Sequence, residues 1–65
     1  MSSKHYIDKD EIMFGTEVEW GFDRCGEVVD FYATGVDTYL IVRPYDTPDE
    51  CVLIPKSNAD PYIYR

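Results

Sequence analysis

From Phe14 the chain alternates. Phe14, Thr16, Val18, Trp20 and Phe22 share one parity, and Gly15, Glu17, Glu19, Gly21 and Asp23 share the other. A period of two, apolar on one side and acidic on the other, predicts a half-buried strand with one wet face. Asp23 to Gly26 has turn composition. Gly26 to Ala33 follows, with Val28, Val29, Phe31 and Tyr32 on both parities, which predicts a strand with a bulge or strong bend. Thr34 to Asp37 turns the chain into a β-branched and aromatic run, Thr38 to Arg43, again apolar on both faces. Both runs read as central strands. Pro44 has no N–H and is expected to end the ladder.

Tyr45 to Glu50 reads as a turn. Cys51 to Ile54 reads as a short strand stopped by Pro55. Lys56 to Asp60 reads as a tight or 3-10 turn, and Pro61 to Arg65 as a last strand. Ahead of Phe14, Met1 to His5 is polar and expected to fray. In Tyr6 to Gly15 the spacing of Asp8 and Glu11, with Gly15 beyond Ile12, Met13 and Phe14, predicts either one capped helical turn or a short strand. The organisation is thus an N-terminal extension, residues 1–13, and one all-β domain, residues 14–65.

Five short strands in so few residues favour a small closed barrel, because closure removes sheet edges that a short chain cannot otherwise cover. The expected core is Val18, Trp20, Val28, Phe31, Leu40, Val42, Val52 and Ile54. At 65 residues, a chain buries only about 60% of the surface it exposes when unfolded, so that core is thin.

The pieces Gly15-Thr16-Glu17-Val18-Glu19-Trp20, Gly26-Glu27-Val28-Val29, Tyr39-Leu40-Ile41-Val42 and Leu53-Ile54-Pro55, followed by Lys56-Ser57-Asn58 and a final strand, come in the order of an SH3-like barrel. The sequence resembles that fold over about residues 14 to 65. The resemblance implies a five-stranded SH3-like small barrel. The chain lacks the Ala-Leu-Tyr-Asp-Tyr-like first strand and paired tryptophan of true SH3 domains, so proline-rich peptide binding is not implied. The short first hairpin is more similar to the Tudor and KOW branches, or to small bacterial and phage barrels.

Charge changes the picture next. Thirteen acids face six Lys or Arg, a net −7. Nucleic-acid affinity rests on Lys and Arg neutralising phosphates, so a nucleic-acid partner is not expected and a protein partner with a basic surface is. Glu17 and Glu19 project from one side of the first strand, with Glu27 placed to lie beside them. Such a stripe either docks a basic patch, as small acidic proteins of phage or mobile-element origin often do, or is simply the solvated face of the strand. The aromatics admit a second reading. In Tudor-like barrels a few of them form a cage for a methylated cation, and Trp20, Tyr32, Tyr39 and Tyr45 lie near strand ends. The plainer alternative is that they fill and line the core. Glu17, Glu19, Tyr32, Tyr39 and Tyr45 are the candidate contacts. A homo-oligomer is a further reading, with Val29 or Ile41 at the interface.

Catalytic chemistry finds no support. His5 sits in a tail. Cys25, beside Arg24, has no positioned base. Asp8, Asp10 and Glu11, and Asp46, Asp49 and Glu50, do not match a calcium loop. With one histidine and no Cys-x-x-Cys, no metal or other cofactor is expected. Cys25 and Cys51 read as free thiols of a reducing compartment, with a single disulfide as the alternative. No apolar run approaches the roughly 18 residues of a membrane span. MSSKHYIDKDE has no apolar signal segment, so a cytoplasmic location is the expectation.

Overall fold

Val18 and Trp20 face inward while Glu17 and Glu19 face the opposite way, as the alternation requires. The structure, a computed structural model, describes residues 2–65. Six strands form one antiparallel sheet: β1 Lys4–Tyr6, β2 Glu17–Trp20, β3 Arg24–Ala33, β4 Thr38–Pro44, β5 Val52–Pro55 and β6 Asp60–Tyr64. Their order across the sheet is β1-β6-β2-β3-β4-β5. Single 3-10 turns span Lys9–Glu11 and Lys56–Asn58.

Two expectations are corrected here. The sheet has six strands, and it is open: β1 and β5 are its edges and do not pair with each other. The sixth strand comes from the segment expected to fray. Lys4, His5 and Tyr6 pair with Tyr64, Ile63 and Tyr62. Ser3 and Arg65 extend the ladder with reciprocal backbone bonds of 2.9 and 3.0 Å. Met1, also within that expectation, lies outside the described residues. A polar segment becomes ordered because β6 offers it a free main-chain edge, which hydrophobic pattern alone does not reveal.

β2 is shorter than the alternation implied. Phe14 and Phe22 share the parity of Val18 but are exposed, Phe22 almost completely. Backbone geometry cuts the strand at both ends. A turn from Met13 to Thr16 precedes it, closed by Thr16 N–H donating to Met13 O at 3.0 Å. After it, Gly21 (φ 60°) and Asp23 (φ 56°) adopt left-handed conformations, which glycine and, among other residues, aspartate tolerate best. The hairpin turn is therefore Gly21-Phe22-Asp23, with Trp20 opposite Arg24, two residues earlier than composition placed it.

Gly26 accordingly lies inside β3 and not in a turn. A Cβ there would sit 2.5 Å from the Arg43 carbonyl oxygen and 2.9 Å from Pro44 Cα, so the β3–β4 approach requires glycine. The bulge expected in β3 is present. The register shifts between Val28 and Asp30, which returns Phe31 to the inner face beside Leu40. Pro44 does not end the pairing. It lies opposite Gly26, and Tyr45 N–H still donates to Cys25 O at 3.1 Å.

The core holds Val18, Trp20, Val28, Leu40, Val42 and Ile54, with Phe31 and Val52 partly buried against it. The pattern did not mark Ala59, Tyr62, Pro44 and Pro61, which are also buried. Ile12 closes one end of this cluster. The turn that carries it is held by the Glu11 side chain, which accepts from Asp8 N–H at 3.1 Å. Cys25 is half-buried, Cys51 exposed, and both are free. Among the described residues no helix is long and apolar enough to cross a membrane.

Candidate binding groove

Residues directly opposite each other in an antiparallel ladder share a face. Register therefore builds the outer face row by row. Tyr6, Tyr62, Glu17, Glu27 and Arg43 form one row across β1, β6, β2, β3 and β4. Asp60, Glu19 and Cys25 form the next. The acidic stripe is real, and Glu27 stands directly opposite Glu17.

Each acid of the stripe has a partner within the chain. Tyr45 Oη donates to Glu17 Oε1 at 3.0 Å. Glu19 accepts from Tyr6 Oη at 2.7 Å and from the Lys4 ammonium. Arg43 pairs with Glu27. The Lys4 hydrogen bond pulls the Glu19 carboxyl below its ordinary value of 4.5, while the same contact raises Lys4 above 10.5. The bond to Glu19 likewise raises the Tyr6 hydroxyl. Lys4 also lies 4.5 Å from the Tyr62 ring centroid, so one cation ties β1 to both β6 and β2.

Beside this row the segment from Ile7 to Thr16 rises over the sheet and leaves an open groove of about 770 Å³. Four carboxylates line it, from Asp10, Glu11, Glu17 and Glu27; Lys56 stands 3.5 Å from Asp10, and Arg43 pairs with Glu27. Ile7, Met13 and Ile63 supply apolar wall, and Tyr45 and Tyr62 the aromatic surface between. Loss of hydration, then the neighbouring Glu17 carboxylate, pushes the Tyr45 hydroxyl up to about 12. Burial likewise raises the Tyr62 hydroxyl above its ordinary value, with further contributions from Cys25 and Glu17. Both phenols therefore stay neutral hydrogen-bond donors across the physiological range. The chemistry on offer is attraction for a cation together with apolar contact.

Of the candidate contacts, the structure joins Glu17 and Tyr45 in the groove and sets Glu19 in the adjoining row. Tyr32 and Tyr39 lie elsewhere. They pair with each other near the far end of the β3–β4 hairpin. Tyr39 is four residues from Arg43 along β4, roughly 13 Å at the rise of a strand. Trp20 is buried in the core, and Arg24 stands 5.4 Å from its ring centroid. Trp20, Tyr32, Tyr39 and Tyr45 thus do not converge on one cage. Sequence reasoning missed Asp10, Glu11, Met13 and Tyr62 as groove residues. Only the parity of Tyr62 in the last strand carried a signal, since the fold of the 7–16 segment places the others. Among the described residues, no three His, Cys, Asp or Glu side chains are grouped to hold a metal ion. No protein-family model, curated protein or solved structure matches the chain.

Proposed function

We propose that this protein is a non-enzymatic binding module whose groove takes a basic segment of a protein partner. One observation carries the reading: four carboxylates, of which only Glu27 and Asp10 have a cation partner, in Arg43 and Lys56, line a groove that also offers Ile7, Met13 and Ile63. An extended partner segment with lysine or arginine beside an apolar residue complements that lining. Rim charges would steer the encounter and fix orientation, and the apolar wall would slow dissociation. The net charge of −7 favours the same partner sign and disfavours a phosphate backbone. The strand order β6-β2-β3-β4-β5, with a 3-10 turn ahead of β6, supports reading the domain as an SH3-like strand arrangement that stays open, with β1 added beside the last strand.

Fluorescence anisotropy with a labelled peptide alternating lysine and leucine tests this. Binding should weaken as salt rises. It should fall on the order of tenfold in the Asp10→Asn/Glu17→Gln double variant, at ~0.2–1 kcal/mol for each exposed charge pair lost. Equal affinity for a glutamate–leucine peptide, or no change in the double variant, overturns it.

A further inference from the structure

β1 is the least anchored strand of the sheet. Lys4, His5 and Tyr6 are all exposed, and β1 pairs with β6 alone. Alternation along the ladder fixes its hydrogen bonds. Ser3 and Arg65 exchange both of theirs at 2.9 and 3.0 Å, and Ile7 N–H donates to the Pro61 carbonyl at 3.0 Å. The pair between them, His5 with Ile63, is therefore bonded too. Pro61 has no N–H to return, so the ladder stops there, and Asp8 turns away into the 3-10 turn Lys9–Glu11.

Off the ladder, β1 is held by one cation and one phenol. The Lys4 ammonium pairs with Glu19 and lies 4.5 Å from the Tyr62 ring centroid, and Tyr6 Oη donates to Glu19 at 2.7 Å. Beneath them Tyr62 is only 4% exposed. What β6 and β2 hold is therefore an extended segment with a lysine and, two positions on, an aromatic. Continued past Tyr6, the same register sets position 8 opposite Asp60, on the face that carries Glu19. This chain has Asp8 there, an acid, and leaves the sheet. Asp60 enters no ion pair among the described residues, so a lysine at that position would gain a carboxylate that β1 does not use.

We propose that the β6 edge is a strand-exchange site, at which a partner segment of the form Lys-x-aromatic-x-Lys displaces β1 and pairs antiparallel with β6. This rests on the reading of the acidic face as a binder of basic protein segments, and it names how the segment is held. The first lysine replaces Lys4 on Glu19 and Tyr62, and the aromatic replaces Tyr6. The second lysine adds the pair with Asp60. Backbone bonds lost and gained are the same in kind, so side chains decide the exchange. β1 is a built-in competitor: its tether gives it an effective concentration on the order of millimolar, a threshold that segments lacking the second lysine do not pass. Tyr62 and Ile63 belong both to this edge and to the groove, and Ile7, pinned to Pro61 by its N–H, lines the groove as well. Release of β1 therefore frees one wall of the groove.

Titration of the full chain with a labelled peptide, Ser-Lys-Val-Tyr-Val-Lys-Ser, tests this, with anisotropy and amide hydrogen exchange read together. At saturation the His5 and Ile7 amides should lose protection while the Ile63 amide keeps it, because only β1 leaves. Lys4→Ala should tighten peptide binding roughly two- to fivefold, since the competitor loses one exposed ion pair and the open state gains population. A purely structural β1 gives no such gain. Glutamate in place of the second peptide lysine should weaken binding by at least as much. Binding that leaves His5 and Ile7 protected, or that Lys4→Ala fails to tighten, overturns strand exchange and leaves the groove reading standing. So does failure of this peptide where the lysine–leucine peptide binds. Failure of both peptides overturns the exchange and the groove reading together.

Discussion

The Tyr45 hydroxyl donates to the Glu17 carboxylate at 3.0 Å across 28 positions of sequence. This bond joins the residue that follows β4 to the first residue of β2, and it sets one wall of the groove. Tyr45 keeps half its surface in contact with solvent, so the bond is worth less than a buried one. Tyr45→Phe should cost under about 1 kcal/mol in chemical denaturation.

The same tyrosine has a pH signature. Its hydroxyl is raised from 10 to about 12 in the fold, so the native state holds the proton more tightly than the unfolded chain. That contribution is complete below pH 10 and is lost as pH rises from 10 toward 12. Melting temperature in that window should fall less steeply for Tyr45→Phe than for the parent. Identical slopes for the two proteins would remove Tyr45 as the cause.

Glu19 behaves in the opposite sense. Its carboxyl is depressed by Lys4, so its contribution is complete above about pH 4.5, the ordinary carboxyl value, and is lost as pH falls through the lowered one. Lys4 is raised, so the cation persists until above pH 10.5. Glu19→Gln should flatten the acid limb of the stability profile. It should also speed amide exchange on β1, because β1 pairs with β6 alone. Unchanged exchange at Lys4 to Tyr6 would show that the backbone ladder suffices.

Gly26→Ala should be among the most damaging single changes. The added methyl meets the Arg43 carbonyl at 2.5 Å, and main chain in a central strand pair cannot swing aside as a side chain can. A loss of about 3 kcal/mol is expected, read from the denaturation midpoint. A loss under 1 kcal/mol would mean that β3 and β4 separate more easily than their register implies.

Leu40→Ala should cost about 3 kcal/mol, since the side chain is fully buried between central strands. A chain this size has only about 5 kcal/mol in total, so the variant should keep only about 2 kcal/mol and melt roughly 12–24 °C below the parent. Phe22→Ala, at the exposed hairpin tip, should stay within about 0.5 kcal/mol. Urea melts of the pair compare a buried apolar residue directly with an exposed one.

Much of the groove escaped the sequence for the reason that these variants expose. Glu17, Glu19 and Glu27 were legible because strand parity sends them to one face. Tyr45 was legible as an aromatic at a strand end. Tyr32 and Tyr39 have the same local signature, yet they sit near the far end of the hairpin, because position along a strand is fixed by where its neighbours begin. Asp10 and Met13 belong to a segment whose path depends on Ile12 reaching the core.

By itself the sequence determined the all-β class, most of the core and the approximate course of five of the six strands. Alternation of Val18 and Trp20 with Glu17 and Glu19 is local, and so is the punctuation by Pro55 and Gly35. Only the tertiary structure decided that β6 returns beside β2, that the polar residues Lys4 to Tyr6 join it, and that the sheet stays open at β5. Periodicity assigns a side chain to a face. It does not choose which distant strand supplies the missing backbone partners, and that choice rests on hydrogen bonds whose donors and acceptors are the same in every residue but proline.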